Sequence, residues 1–545
     1  MVAEHLGAVA EHLGVVAEYL GVVAEYPGTL AHCPETVAHY LGALAQHLEA
    51  VAHCLGTVAQ HLEAVAHYVK ALAQHLEAVA HCLKVVAHYL EAVAHCLGKP
   101  HLRPAALLLG PMEQGQGLQV YKFGGASVKD AAAILNLCRI VRDFGPQGPL
   151  VIVVSAMGKT TNALEEIYEL AYRGGDYSAQ LAALKAYHNQ VGRDLGQALP
   201  FPGIDPLAPD PGLESSFDEL AYRLTNLSPS KSYDEGYDQV VSFGEFFSCY
   251  LVHLALLGHF EADIYSRAGL IVTDDTWREG KVNWQETKSR VQQEITPLFD
   301  SGARIVVTEG FTGQVLDSHR TTTLGREGSD YTAAILAYCL RAESVTIWKD
   351  VAGLLNADPK IFPDTVRYPE ISYRETIEMA YYGASVIHPK TLKPLADRNI
   401  PLRVKSFLDP AAEGTLIHDC QHPALAPAFI RKTDQALLSF ASKDFSFISE
   451  ENMAAIFAGL AQAKLKINVM QNSAISFSVC VDYSERRVHQ LLDLLREQFT
   501  LHYNTGLTLF TIKNYDSASI ARLTAGKRLL LEQRTRHTFQ FVCQG

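Results

Sequence analysis

Four short segments of this sequence place polar or charged residues directly after apolar runs. In the first segment, Lys122 precedes Gly124 and Gly125, and a helical pattern follows. Glycine lets backbone N–H groups approach an anion, and the N-terminus of a helix favours negative charge. Lysine adds a mobile positive charge. The segment therefore suits a bound phosphate, although a tight turn between a strand and a helix has the same composition.

The second segment, residues 155–162, is rich in hydroxyl groups. Its Gly-Lys-Thr run resembles the end of a Walker A loop, but Val153 stands where such a loop needs a glycine, so we reject a P-loop. Ser155 and Thr161 could face a phosphate or a substrate. Simple capping of the following helix by Thr160 or Thr161 is the alternative.

The third and fourth segments carry groups suited to binding an amino acid. Glu245 precedes an apolar helix, where it either complements the helix dipole or binds an ammonium group. Arg326 can hold a carboxylate through two parallel hydrogen bonds. Ser329 and Asp330 lie where a helix begins and could simply cap it. Two glycines, an arginine, a serine and an aspartate within residues 325–330 nevertheless exceed what a helix cap requires.

Short β-branched runs alternate with amphipathic helical stretches from residue 118 onwards. The runs include LQVYKF, PLVIVVSA, ARIVVTEGF and SVTIWKD, and the helical stretches cover residues 127–143, 160–172 and 330–341. This alternation predicts parallel βαβ units and an α/β sheet with helices on both faces. Ligands bind such sheets at the carboxyl ends of the strands, which is where the four segments fall. The proline-rich residues 198–213 predict a loop.

Residues 426–545 predict a second, smaller α+β region. The order of apolar and amphipathic runs there is β-α-β-α-β, and a shorter tail that resembles β-α-β follows. The tail ends in the apolar run HTFQFVC. We therefore expect two domains after the N-terminal part of the chain.

Residues 2–98 form an internal repeat with a period of seven. Leu6, Val9 and Leu13 fall at alternating steps of three and four, a heptad pattern typical of a long helix or coiled coil. Glycines and prolines interrupt this pattern. Adjacent His-Cys pairs suggest metal binding, but neighbouring side chains on a helix point in different directions. We interpret residues 1–111 as a low-complexity segment that could be dispensable.

The composition argues against several classes of protein. The net charge of −13, without a concentrated basic patch, argues against binding to nucleic acid and to anionic membranes. Ten scattered cysteines without a CxxC motif indicate reduced thiols in a cytoplasmic protein. We expect no transmembrane helix and no signal peptide. The motif sets of protein kinases and of NAD-dependent dehydrogenases are missing.

Taken in order, these segments resemble the aspartate kinases of the amino acid kinase family. The similar stretches are KFGGASV, VVSAMGKTTNAL, SFGE, TEGFTG, TLGREGSDYTA, KDVAGLLNADPK and YYGASVIHPKTL. The resemblance covers about residues 118–420 and continues into residues 426–545, which look like ACT regulatory domains. It implies an αβα sandwich of the amino-acid-kinase type over residues 118–425, followed by the ACT-like region.

The resemblance implies transfer of the γ-phosphoryl group of ATP to the β-carboxylate of L-aspartate, with Mg²⁺ accompanying ATP. Lys122 and Asp330 would act in catalysis. Glu245 would hold the α-ammonium group of the substrate and Arg326 its α-carboxylate. The substrate contacts would come from Thr161, Glu245, Arg326 and Ser329. The phosphate and ATP contacts would come from Lys122, Gly124, Gly125, Ser155, Lys349, Asp350, Leu355, Lys360 and Ser385.

The sequence departs from the family pattern mainly around the nucleotide. Lys349 stands where the family often has threonine, Leu355 where it often has tyrosine, and Lys360 where it often has arginine. Ser385 replaces a frequent lysine, so one cation is lost there while one is gained at position 349. We hypothesise that Lys349 replaces the lost cation across the pocket. Glu327 stands where a glycine usually follows the substrate-binding arginine.

The ACT-like region implies a homodimer or larger homo-oligomer with an amino-acid effector, either lysine or threonine. Residues 467–472 lack the acidic residue often used to bind lysine, and no fused homoserine dehydrogenase domain is expected. Other hypotheses are another amino acid kinase, a catalytically silent amino-acid sensor, and a coiled-coil scaffold built on residues 2–98. The SFGE and GREGSD segments argue against the first, and the intact set of charged residues argues against the second.

Overall fold

The computed structural model describes residues 117–199, 210–227, 232–260, 264–267, 269–384, 387–421, 425–444 and 446–544. The heptad-repeat interpretation of residues 1–111 and the expected ATP contact at Ser385 lie outside these ranges. Most of the proline-rich stretch also lies outside them.

Strands and helices alternate between residues 117 and 421. The strands are β1 (Gln119–Phe123), β2 (Leu150–Val154), β3 (Ile264–Arg267), β4 (Val272–Thr273), β5 (Ile305–Glu309), β6 (Thr312–Val315), β7 (Thr321–Thr323), β8 (Ser344–Lys349), β9 (Glu370–Ser372), β10 (Leu402–Ser406) and β11 (Thr415–His418). The helices are α1 (Ala131–Phe144), α2 (Thr160–Tyr172), α3 (Ser178–Ala198), α4 (Pro211–Thr225), α5 (Tyr233–Val241), α6 (Phe243–His259), α7 (Trp284–Asp300), α8 (Gly328–Leu340), α9 (Tyr373–Tyr382) and α10 (Pro389–Ala396). The α/β alternation predicted for this part of the chain is confirmed.

The strand β1 lies inside an eight-stranded sheet of order β3-β5-β2-β1-β8-β10-β11-β9. It pairs in parallel with β2 on one side and with β8 on the other. Every residue of β2 is buried, as expected for a strand covered on both faces. The chain leaves β1 towards β2 and later returns to β8 on the opposite side. A ligand-binding crevice is therefore expected where β1 and β8 end.

Two hydrophobic clusters cover the faces of this sheet. On one face, α8 and α10 pack against the strands through residues such as Ile335 and Leu392. On the other face, α1 and α6 pack through residues such as Ile134 and Leu251. Burial of this apolar surface stabilises the fold by roughly 25 cal/mol per Å². The sheet is thereby held rigid, and its strand ends have defined positions.

The helices α2 to α6 include a further core of aromatic side chains. The rings of Phe217 and Phe247 stack there with their centroids 4.2 Å apart. The stretch Tyr233–His259 is the single part of the described chain that is long and apolar enough to cross a membrane, and 67% of its most apolar window is buried inside the protein. Its composition therefore fits a central helix of the core.

The C-terminal lobe, residues 426–544, contains a six-stranded antiparallel sheet of order β13-β14-β12-β15-β17-β16. Its elements are β12 (Ala428–Ser442), α11 (Glu450–Gln462), β13 (Ile467–Asn472), β14 (Ser476–Asp482), α12 (Glu485–Leu495), β15 (Phe499–Lys513), α13 (Ser517–Thr524), β16 (Leu529–Arg534) and β17 (Thr538–Gln544). The long strands β12 and β15 run through both halves of the sheet, so the two α+β modules share one sheet. The sequence pattern missed β13 and β16, because these edge strands are largely exposed and polar.

Candidate active site

A cavity of about 960 Å³ lies at the carboxyl ends of β1 and β8. The sequence-predicted residues that line it are Lys122, Ser155, Thr161, Glu245, Arg326, Ser329, Asp330 and Lys349. Lys122, Ser155 and Lys349 lie at the ends of parallel strands of the large sheet. Arg326 instead follows β7, which belongs to a separate three-stranded sheet. The expectation that the Glu245 segment follows a strand is wrong, because the helix α5 precedes it. Parallel strands end at the same edge of a sheet, so side chains that are distant along the chain meet there.

Asp330 binds two lysines in this cavity. Its Oδ1 lies 2.6 Å from the Nζ of Lys122, and its Oδ2 lies 3.2 Å from the Nζ of Lys349. Burial raises the pKa of Asp330, but the two ammonium groups outweigh this effect and hold its pKa below the usual value. The three groups together leave one net positive charge. This charge faces the cavity and suits a phosphoryl group.

The turn after β1 is closely packed around its glycines. A Cβ atom on Gly125 would lie only 2.6 Å from the carbonyl oxygen of Ala156, so a larger residue does not fit there. The N–H of Gly158 donates to the carbonyl oxygen of Gly125 at 3.0 Å. This contact joins the turns that follow β1 and β2. Gly124 and Gly125 stand beside the lining residues, and their contact with phosphate stays a prediction.

Glu245 is a buried carboxyl group in the first turn of α6. Its Oε1 accepts a hydrogen bond from the backbone N–H of Ala156 at 3.2 Å. Its Oε2 has no hydrogen-bond partner within the described part of the chain. Burial, with a smaller contribution from the nearby charge of Glu309, raises the pKa of Glu245 to about 8. The site thus holds one carboxylate oxygen that a cationic ligand could satisfy.

The starts of α2 and α8 do not depend on the predicted side chains for capping. The N-cap residues are Lys159 and Glu327, and neither of these helix starts, both within the described ranges, has a side-chain cap hydrogen bond. The hydroxyl of Thr160 instead pairs with Nε2 of His188 at 3.3 Å. Thr161, Ser329 and Asp330 therefore line the cavity without serving as caps. The hydroxyl groups of Thr161 and Ser329 are available to a ligand, whereas Asp330 binds the two lysines.

Asp238 is a support of the site that the sequence pattern did not reveal. Its buried carboxylate accepts hydrogen bonds from the backbone N–H of Arg278 at 2.8 Å and from the backbone N–H and the hydroxyl of Thr323 at 3.0 and 2.7 Å. Burial raises the pKa of Asp238, and these hydrogen bonds oppose that shift. Arg278 and Thr323 both line the cavity. Asp238 therefore fixes the position of one cavity wall. Its neighbours along the chain look like those of any polar helix, so the sequence did not single it out.

Arg278 is a second lining residue that was not predicted. It adopts the left-handed backbone conformation with φ of 68°. Its guanidinium group lies 4.0 Å from the ring centroid of Tyr237 and 3.4 Å from Oδ1 of Asp234. A strained residue at a cavity wall is often functional. The local sequence offered only a basic residue in a polar loop.

The nucleotide contacts expected at Asp350, Leu355 and Lys360 are not among the lining residues of this cavity. Asp350 and Lys360 are exposed, and Leu355 forms a β-bridge with Arg367. Lys349, which precedes this segment, does line the cavity. The segment therefore starts at the site and continues away from it, and its contacts with ATP stay a prediction.

Comparisons with known proteins agree on one family. The sequence profile of the amino acid kinase family matches residues 117–406. Aspartokinase 2, chloroplastic, of Arabidopsis thaliana is 30% identical over 400 residues, which cover 69% of this chain and 70% of that protein. Two crystal structures of E. coli aspartokinase III each share 26% identity and cover 78% of this chain and 96% of theirs. The complex with aspartate and ADP (R-state) has a TM-score of 0.65, and the complex with lysine and aspartate (T-state) has one of 0.64.

Proposed function

This chain belongs to the amino acid kinase family and, within it, to the aspartokinases, and we propose that it transfers the γ-phosphoryl group of ATP to the β-carboxylate of L-aspartate. The product, 4-phospho-L-aspartate, enters the synthesis of lysine, threonine and methionine. The main support is the convergence of Asp330 and its two lysines with Glu245 and Arg326 in one cavity. E. coli aspartokinase III binds aspartate and ADP, the same class of ligands.

Glu245 and Arg326 hold the amino-acid end of aspartate. A buried carboxylate oxygen without a partner is costly, and the α-ammonium group of the substrate supplies the missing hydrogen bond to Glu245. Arg326 holds the α-carboxylate through two parallel hydrogen bonds. Thr161 and Ser329 add hydroxyl groups at the cavity wall. These contacts direct the β-carboxylate towards Lys122.

Lys122 and Lys349 stabilise the charge of the phosphoryl group during transfer. An oxygen of the β-carboxylate forms a bond to the γ-phosphorus, and the bond from that phosphorus to the bridging oxygen breaks, so ADP leaves with the electron pair. The ion pairs with Asp330 position both ammonium groups before the reaction. Gly124 and Gly125 donate backbone N–H groups to phosphate oxygens.

The cavity can accept Mg²⁺ carried by ATP. Glu165 and Glu279 line it beside the lysines, so acidic groups are present to balance an additional cation. Among the described residues, no group of three or more His, Cys, Asp or Glu side chains could hold a metal ion. Phosphate oxygens and water are therefore expected to provide most ligands. When bound, Mg²⁺ neutralises charge on the β- and γ-phosphates.

The C-terminal lobe binds an amino-acid effector, either lysine or threonine, and joins a second copy in a homodimer or larger homo-oligomer. Its sheet, shared by two α+β modules, supports this role. E. coli aspartokinase III has been crystallised with lysine. We expect the enzyme in the cytoplasm.

The test is ATP- and Mg²⁺-dependent formation of aspartyl hydroxamate by the full chain. L-Aspartate should react at least about 100-fold faster than L-glutamate, because the β-carboxylate must reach the phosphoryl group. Lys122→Ala should lower the rate by about 100-fold or more. Lys129→Ala, which changes an exposed lysine in the following turn, is the matched control. A folded chain without this activity would favour the silent sensor.

A further inference from the structure

Glu327 is an unusual residue for its position beside Arg326. Its backbone has a φ of 54°, in the left-handed region that favours glycine. The side chain lines the cavity, and its Oε2 is buried without a hydrogen-bond partner among the described residues. A strained backbone and a carboxylate oxygen without a partner at one residue indicate that the charge of Glu327 has a function.

The neighbouring cations of the catalytic half do not satisfy this carboxylate. Burial lowers the pKa of the Lys390 ammonium, and the charges of Glu279 and Glu327 oppose this shift, so Lys390 lies within electrostatic reach. Its Nζ, however, donates to the carbonyl oxygen of Leu324 at 2.7 Å. Within the described ranges, Oε2 of Glu327 therefore remains without a hydrogen-bond partner.

The C-terminal lobe brings two further cations to the same cavity. Lys464 follows α11 and Arg487 lies in the first turn of α12, and both line the cavity together with Glu327. The Nη1 of Arg487 donates to the carbonyl oxygen of Lys464 at 3.1 Å, which holds the two residues as a pair. Both side chains are exposed and are therefore free to reorient.

We propose that Glu327 is a positioning residue, and that its carboxylate pairs with Arg487 and Lys464 when the C-terminal lobe closes on the cavity. The pair joins the Arg326 loop to that lobe and holds Arg326 in place for the α-carboxylate of aspartate. This inference rests on the proposed function. It also means that a movement of the C-terminal lobe changes the affinity for aspartate.

The test is a set of charge-removing variants of the full chain, assayed for aspartyl hydroxamate. Glu327→Gln should raise the KM for aspartate about fivefold and change kcat less than twofold, because the loss of one partly screened charge pair weakens binding without altering the reacting groups. The double variant Lys464→Gln with Arg487→Gln should have a similar effect. Combining all three changes should add nothing further, since one interaction is lost in each case.

Three controls separate charge from backbone strain and from general surface effects. Glu327→Gly relieves the left-handed strain, so it should unfold at a higher temperature and still show the raised KM. Exchanging the charges, with Glu327→Lys and Arg487→Glu together, should restore much of the affinity. Arg486→Gln, which changes an exposed neighbour outside the cavity lining, should have no effect.

Additive effects of Glu327→Gln and of the Lys464 and Arg487 double variant on the KM for aspartate would contradict the ion pair. An unchanged KM in Glu327→Gln would contradict it as well. The proposed function fails separately. A wild-type chain that forms no aspartyl hydroxamate would contradict it, whereas additive KM effects in an active chain would contradict only the pairing of Glu327.

Discussion

Glu245 illustrates how burial changes the ionisation of a carboxyl group at the cavity wall. Burial raises its pKa to about 8, and burial also raises the pKa of Glu309 to about 7. Two acidic groups near each other cannot both ionise easily in a buried site. An arriving ammonium group reverses this situation, because it stabilises the ionised form of Glu245.

The pH dependence of aspartate use should therefore follow Glu245. A group with a pKa of about 8 is ionised to about a tenth at pH 7 and to a half at pH 8, so kcat/KM for aspartate should rise about fivefold over this interval. The rise has this direction because only the carboxylate attracts the ammonium group. Steady-state kinetics from pH 6 to 8.5 would measure it. Glu245→Gln should abolish the rise, and a flat wild-type profile would contradict the assignment.

Lys349 should act mainly on the nucleotide. Its ammonium group pairs with Asp330 at 3.2 Å and lines the cavity, where a phosphate would meet it. Lys349→Ala should raise the KM for ATP about tenfold and leave the KM for aspartate within twofold, since one charge-assisted contact to phosphate is lost. Lys393→Ala changes an exposed lysine of α10 and serves as the control. An unchanged KM for ATP would refute the idea that Lys349 replaces the cation absent at position 385.

Among the elements, α5 determines the shape of one cavity wall. Asp238 near its C-terminus holds Arg278 and Thr323, which belong to a loop and to β7. The strand β7 is only three residues long. The positions of Arg278 and Thr323 therefore depend on one buried carboxylate of a helix that lies elsewhere in the sequence.

Replacing this carboxylate should affect both stability and substrate binding. Asp238→Asn replaces a charged acceptor by a neutral one, which weakens the hydrogen bonds from the backbone N–H groups of Arg278 and Thr323. We expect a cost of about 1–2 kcal/mol in the free energy of unfolding. The KM for aspartate should rise about tenfold while kcat changes less. Asp234→Asn is the stability control, because Asp234 is half exposed and its pair with Arg278 contributes about 0–1 kcal/mol. If Asp238→Asn is less stable but its KM for aspartate is unchanged, Asp238 has a structural role only.

Across the whole molecule, a series of contacts joins the C-terminal lobe to the loop that carries Arg326. Lys513, at the end of β15, lies 2.5 Å from Oε2 of Glu378 and 3.6 Å from Oε1 of Glu375, both on α9. The helix α10 comes next after α9, and its Lys390 donates to Leu324 just before the Arg326 loop. Movement of the lobe can therefore reach the loop through α9 and α10 as well as through the cavity.

The contribution of the buried ion pair of Lys513 should be measurable in the free energy of unfolding. Lys513→Met should lower the free energy of unfolding of the full chain by about 2 kcal/mol, because the side chain of Lys513 is only 4% exposed whereas Glu378 retains some contact with water. Arg522→Ala, which removes an exposed pair with Asp364 between the same two parts of the chain, should cost less than about 1 kcal/mol. Chemical denaturation would compare the two variants. Equal losses would show that burial of Lys513 contributes nothing.

The variant Lys513→Met also gives a prediction for the pH dependence of stability. Burial raises the pKa of Glu378, but the hydrogen bond and charge of Lys513 outweigh this and hold its pKa below the usual value. A carboxyl group with a lowered pKa in the folded state adds stability above its unfolded pKa, and this stability is lost as the pH falls through the folded value. The difference between wild type and Lys513→Met should therefore shrink in acid. A difference that does not shrink as the pH falls below the ordinary pKa of a glutamate would contradict this account.

Local sequence patterns were enough to predict the α/β alternation and the segments that line the cavity. Strands such as β2 are apolar throughout, and groups such as Lys122 and Ser155 lie at the carboxyl ends of parallel strands, so local pattern and the geometry of parallel sheets sufficed. Edge strands such as β13 escaped this reasoning because exposure removes the apolar signal.

Which of these groups meet depends on contacts between distant parts of the chain. Asp330 binds both Lys122 and Lys349 because β1 and β8 are neighbours in the sheet, and strand order is not encoded in local periodicity. Asp238 supports a distant wall, and Arg487 reaches the cavity from another lobe, although both resemble ordinary polar residues of a helix. Long-range packing places such residues, because their contacts join segments whose spacing along the chain carries no pattern.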